Sequence, residues 1–138
     1  MARTWLLKEE PTHYSFDDLV ADGETRWDGV RNPLAQKHLR AVRKGDRILY
    51  YHTGKEKSIV GIARAASDAY PDPKGGTRAV AVDVEPVRKL ARPVALSEIK
   101  GKPEFRDFAL VRIPRLSVMP VTGAQWRTIE KMSKSRDA

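Results

Sequence analysis

The apolar positions of this chain fall mostly into short runs, and several alternate with polar ones in the manner of half-buried strands. "TWLLK", Thr4–Lys8, predicts a first strand, stopped at Glu10-Pro11 because proline cannot donate to a ladder. "RILYYHT", Arg47–Thr53, follows the turn "KGD" and predicts a second; "IVGIARAA", Ile59–Ala66, predicts a third, joined to it by the hairpin-like "TGKEKS". From Arg78 to Val87 the alternation is strict, with Val80, Val82 and Val84 on one side and Ala81, Asp83 and Glu85 on the other. "RLSV", Arg115–Val118, predicts a further strand before Pro120.

Helices are fewer and are announced by their caps. Ser15 with Asp18 forms a capping-box pattern for a short helix to about Ala21, and Thr122 with Gln125 forms another for a helix to about Met132. In "WDGVRNPLAQKHLR", Asn32 is a preferred N-cap and Pro33 suits the first helical position. A helix over Pro33–Arg43 then places Leu34, Ala35, His38, Leu39 and Val42 on one face. Many short strands with a few helices between them predict an α+β fold, a small, mainly antiparallel, partly closed β-barrel with flanking short helices. A tail from about residue 133 is expected to fray.

The length of 138 residues suits one domain, since domains cluster near roughly 100–150 residues. There is no cysteine, which excludes disulfides and thiolate chemistry. No run of about 18 apolar residues and no signal-peptide core occur, so a cytoplasmic protein without membrane contact is expected. No glycine-rich turn links a strand to a helix, so no nucleotide cofactor is expected. His13, His38 and His52 lack metal-ligand spacing, and no metal is expected either.

Charge changes the picture. The net charge is +8, with 12 basic against 10 acidic residues up to Ala69 and 14 against 8 after it. A surplus of that size, concentrated in one half, points to a polyanion, and nucleic acid is the commonest. Arg88, Lys89, Arg112 and Arg115 are candidate phosphate contacts, and with Arg78, Arg92, Lys100, Lys102 and Arg106 they could form a phosphate track for RNA without base flipping. A hydrolase would need Lys8 as nucleophile with Glu10, two residues along the strand, beside it. No nucleophile, base and orienting group fall into one set, so a binding module is the expectation.

Trp27 is the residue that chemistry and packing both claim. It precedes the turn Asp28-Gly29, the donors Arg31 and Asn32, and the start of a helix. An indole there either fills a core or offers a flat π face to a planar ligand.

The blocks "WLLKEEP", "YSFDDL", "WDGVRNPLAQKHLR", "KGDRILYYHT", "VGIA", "AYPDP" and "RLSVMPVT" resemble, in order and spacing, the EVE domain family from about Thr4 to Met132. The resemblance implies a PUA-like barrel, kinship with the YTH domains that cage a methylated adenine, and recognition of modified bases, particularly modified cytosines. It implies a base pocket in which Trp27 is the aromatic wall and Lys8, Arg31, Asn32, His52 and Ser117 are polar neighbours, with Tyr14 and Tyr70 at the rim. The loops "GKEKS" and "AYPDPKGGTR" are shorter than in longer members, which leaves DNA or RNA as partner open.

Overall fold

Strand β1, Thr4–Glu9, carries Trp5, Leu6 and Leu7 in succession, all three buried, so both of its faces are covered. In the computed structural model, which describes residues 3–74 and 79–134, β1 lies inside a seven-stranded sheet. It pairs in parallel with β3, Arg47–His52, and antiparallel with β7, Val118–Val121. The parallel pair needs a long crossover, and α1 (Phe16–Asp22), β2 (Thr25–Trp27) and α2 (Pro33–Arg40) supply it. Beyond β3 come β4, Ser58–Ala65, then β6, Val80–Ala95, then β2 at the far edge. The two-residue β5, Tyr70–Pro71, pairs with β6 off this path.

The sheet therefore runs β2-β6-β4-β3-β1-β7, and it curls into a half-barrel of PUA-like, mainly antiparallel α+β form. Its two edges are β2 and β7, and α2 packs against β7 and against β6, the neighbour of β2. The segment Leu96–Lys100 (α3), a 3-10 turn over Pro103–Phe105 and Ala109–Arg112 (α4) connect β6 to β7, and α5, Gly123–Lys134, packs back on β6.

Both capping boxes form: the Ser15 hydroxyl accepts from Asp18 N while Asp18 accepts from Ser15 N, and Thr122 and Gln125 make the same exchange. Asn32 caps α2 by accepting from Leu34 N and Ala35 N at 2.9 and 3.0 Å. The helix stops at Arg40 rather than Arg43 because the Arg43 amide is taken by the Asp46 carboxylate. Leu34 is exposed, and the buried face of α2 is made by Ala35, Leu39 and the polar Gln36.

Three strand expectations are corrected. The fourth predicted strand does not end at Val87: β6 continues to Ala95, because its pairing with β4 shifts register twice and so accommodates Pro86 and Pro93. Ala81 does not face solvent; β5 pairs over it, and it is fully buried. The last strand begins at Val118, with "RLS" before it, and crosses Pro120 because β7 is an edge strand. Arg78 lies outside the described residues, as do residues 135–138 of the tail expected to fray; Ser133 is in α5 and buried.

Gly61 marks a close approach. A β-carbon there would lie 2.5–2.6 Å from three ring carbons of Phe16. Phe16 is fully buried, edge-on to the Tyr50 ring at 5.5 Å, so it has nowhere to retreat. Gly61→Ala is expected to cost about 1–3 kcal/mol of stability by overpacking, read as an earlier urea midpoint with unchanged slope. An unchanged midpoint would mean that α1 sits loosely on the sheet.

Candidate nucleic-acid interface

A cavity of about 330 Å³ opens where the two edges of the curled sheet approach each other. One wall comes from β2 and the turn after it, Thr25 through Arg31. The other comes from the end of β1, Lys8 and Glu9, with Ser117 just before β7, and His13 and Tyr14 complete the rim.

Trp27 belongs to the core and to this wall at once. It is 7% exposed, it stands edge-on to Tyr50 with ring centroids 5.5 Å apart at 87°, and it also lines the cavity. Tyr50 is held in turn: its hydroxyl donates to the Tyr14 carbonyl at 2.7 Å. Burial pushes the Tyr50 phenol far above its ordinary pKa, so it stays a donor. The indole is thus backed by a fixed ring rather than left to swing.

Opposite it, Lys8 is partly buried, and desolvation pulls its amine below the usual lysine pKa. Lys8 Nζ donates to the Pro114 carbonyl at 2.7 Å and lies 5.7 Å from the Tyr51 ring centre. The Lys8 amide also donates to the Ser117 carbonyl at 3.0 Å, which anchors Ser117 at the cavity. Tyr14 donates to Asp22 at 2.7 Å; burial, then that carboxylate, raise its pKa.

Lys8, Tyr14, Trp27, Arg31 and Ser117 therefore converge on one cavity. Asn32, His52 and Tyr70 are not among its lining residues. The Asn32 oxygen is committed to the α2 cap. His52 is buried, with Nε2 accepting from Phe16 N at 3.0 Å and Nδ1 facing Glu56 at 3.0 Å, so it ties β3 to α1 as the neutral Nδ1–H tautomer. Tyr70 donates to Asp83 on β6.

The candidate phosphate contacts lie in two parts of the fold, on β6 and around α4. Arg88 and Lys89 are consecutive on β6, and they reach to opposite helices, Arg88 towards Glu130 of α5 at 4.0 Å and Lys89 to Asp17 of α1 at 3.1 Å. Arg112 and Arg115 flank Pro114, the residue that holds Lys8.

Lys8 and Glu10 do not meet: the Glu10 carboxylate accepts from Thr12 and Thr53. Glu9, the last residue of β1, lines the same cavity as Lys8 and faces His13 at 3.2 Å.

Two buried polar residues went unrecognised in the sequence. Asp72, 4% exposed, accepts from Gly29 N at 3.2 Å and Lys74 N at 2.9 Å, and these two backbone bonds hold its carboxyl below the ordinary range. Gln36, 5% exposed, donates to the Val30 carbonyl at 2.6 Å and accepts from Val80 N at 2.9 Å. Together they clamp the backbone of the Asp28–Arg31 turn from beneath. The only sequence signal was a polar residue on the apolar side of α2, and an aspartate between two prolines.

A half-barrel whose seam holds a tryptophan-walled, polar-rimmed cavity belongs to the PUA-like class. The chain is a member of the EVE domain family, whose model matches residues 3–132. It is 32% identical to thymocyte nuclear protein 1 of Gallus gallus over 96% of this chain and 69% of that protein. A solved protein from Rhodopseudomonas palustris is 41% identical with a TM-score of 0.92, covering 99% of this chain and 97% of its own. Human THYN1, solved in complex with DNA containing 5-methylcytosine, is 28% identical with a TM-score of 0.90, covering 99% of this chain and all of its own, 100%.

Proposed function

We propose that this protein is a non-enzymatic nucleic-acid reader that holds one unpaired or flipped base, methylated or hydroxymethylated, against Trp27. The observation that carries the proposal is the seam cavity itself, about 330 Å³ and lined by both Trp27, packed on Tyr50, and Lys8, held by the Pro114 carbonyl. That is near the lower end of small-ligand sites, which run about 300–1,000 Å³. The human relative's complex with 5-methylcytosine DNA supports the same ligand class here.

A base outside a duplex presents two π faces and a hydrogen-bonding edge, so it needs a flat wall and a few fixed polar groups. Trp27 is the wall. Lys8, with its lowered pKa and partial burial, and the Ser117 hydroxyl supply the groups for the edge. A methyl on the base adds roughly one CH₂ equivalent of apolar area, about 0.8 kcal/mol, or about fourfold in affinity. Discrimination by that group is accordingly modest. A hydrolase has less support, because Lys8 hydrogen-bonds a backbone carbonyl rather than a base, and the Glu10 carboxylate is engaged by Thr12 and Thr53.

The test is a titration panel of DNA and RNA single strands, each with and without 5-methylcytosine and 5-hydroxymethylcytosine, at two salt concentrations. Several-fold tighter binding of one modified strand is expected. Equal affinity across the panel would leave a PUA-like RNA-binding module without base selectivity. Arg31 provides a second check. It is exposed on the turn beside the cavity, and Arg31→Lys keeps the charge but loses the planar fork. A several-fold loss of affinity is expected; parent-like binding would reduce Arg31 to a generic cation.

A further inference from the structure

A second, larger cavity of about 750 Å³ lies on the other side of the Asp28–Arg31 turn. The residues Asp28, Gly29, Val30 and Arg31 line both cavities, so a single four-residue ridge separates them. Its remaining lining includes Pro33 and Ala79 as apolar surface, Arg40 and Lys74 as cations, and the two buried clamps Gln36 and Asp72.

We propose that this cavity is a subsite for the sugar-phosphate of the nucleotide next to the one held against Trp27, which rests on the base-pocket proposal above. Three observations converge on it. The charge facing the cavity is positive: Arg31, Arg40 and Lys74 stand against two carboxylates, and both are engaged. Asp72 is occupied by the amides of Gly29 and Lys74, and Asp28 lies 4.0 Å from Arg26. Its volume, about 750 Å³, leaves ample room for a sugar and its phosphate. The ridge is built rigidly, with Gly29 N held by Asp72 and Val30 O held by Gln36, so a strand would cross a preformed step rather than a soft loop.

Arg31 lines both sides and so sits at the crossing point, where the phosphodiester between the two nucleotides would pass. Val30, Pro33 and Ala79 offer apolar surface to the sugar. Phosphate contacts position a strand without reading its sequence. The base cavity selects, and the second cavity adds affinity that is indifferent to the modification.

The experiment uses the full chain, an Arg40→Ala/Lys74→Ala double variant and a Lys74→Ala single variant, with thermal unfolding of each. Both side chains are exposed, so the fold is expected to persist, and Lys74→Ala alone serves if the pair does not fold. Each protein is titrated with a single-stranded oligonucleotide bearing one central 5-methylcytosine, and with its unmodified counterpart, over a range of salt. The double variant is expected to bind both strands about tenfold more weakly at low salt. Its log–log salt slope should be shallower by about 1.4, two contacts at roughly 0.7 each for a single strand, with the modified-to-unmodified ratio unchanged. The single variant should show about half that change in slope. An unchanged slope and affinity would overturn the subsite, as would a changed ratio with an unchanged slope. Failure of the base pocket looks different: the parent protein would show no preference for the modified strand, while the double variant would still flatten the slope. A parent that binds neither strand would overturn both.

Discussion

Trp27→Ala is expected to lose stability and affinity together, by about 3–5 kcal/mol of folding free energy and about 1–3 kcal/mol of base stacking. The sequence alone suggested a choice between a core residue and a pocket wall. The geometry removes that choice. The indole is 7% exposed, packed edge-on to Tyr50 and part of the cavity wall, so cutting it back opens a hole in the core as well as removing the proposed platform for the base. A stability of about 5–15 kcal/mol is typical of a domain, so this variant sits near the threshold of folding. Trp27→Phe separates the two effects. It keeps a ring against Tyr50 and should stay folded, while its smaller π face holds a base less well. Affinity of Trp27→Phe for the modified strand is expected between those of the parent and the alanine variant. A folded Trp27→Phe protein that binds as the parent does, beside a folded Trp27→Ala protein that also does, would remove the base from this cavity.

Asp46→Ala is expected to cost at least about 3 kcal/mol with no direct effect on binding by the folded fraction, because it orphans several donors at once. The Asp46 carboxylate is 4% exposed and accepts three hydrogen bonds: Arg3 N at 3.0 Å, the Trp5 indole at 2.9 Å and Arg43 N at 3.0 Å. It thereby ends α2, fixes the first strand at its entry and satisfies a buried indole. Asp46→Asn keeps the shape but turns an amide N–H2 towards a donor, so an intermediate loss is expected. Urea unfolding of both variants checks it. A loss below about 1 kcal/mol for the alanine variant would mean that water replaces the carboxylate freely.

Asp46 also shows how far the chain could be read unaided. In "KGD" it is legible as a turn residue, and the turn is there. Its larger task is with Arg3 and Trp5, more than forty positions earlier, and no local pattern announces that. Gln36 is similar. Helical spacing identifies α2 and its buried Ala35 and Leu39, yet a glutamine among them gives no sign that it grips Val30 and Val80. Asn32 illustrates the reverse case. Its legible role as a cap is the role it performs, and the base-edge role came only with the family resemblance.

By itself the sequence determined the caps, the alternating strands, the α+β class and, through seven blocks in register, the family. Those features depend on residues within a few positions of one another, where capping geometry and side-chain periodicity act directly. The seam was decided only by the tertiary structure. It exists because the sheet begins at β2 and ends at β7, and its curl brings Trp27 near Lys8 and Ser117. The Lys8 side chain alone spans 106 positions to reach Pro114. The same long-range pairing set the ends of β6, buried Ala81 under β5 and sent Arg88 and Lys89 to opposite helices. Strand order and register fix such neighbours, and they are settled by burial summed over the whole sheet rather than by any short stretch of it.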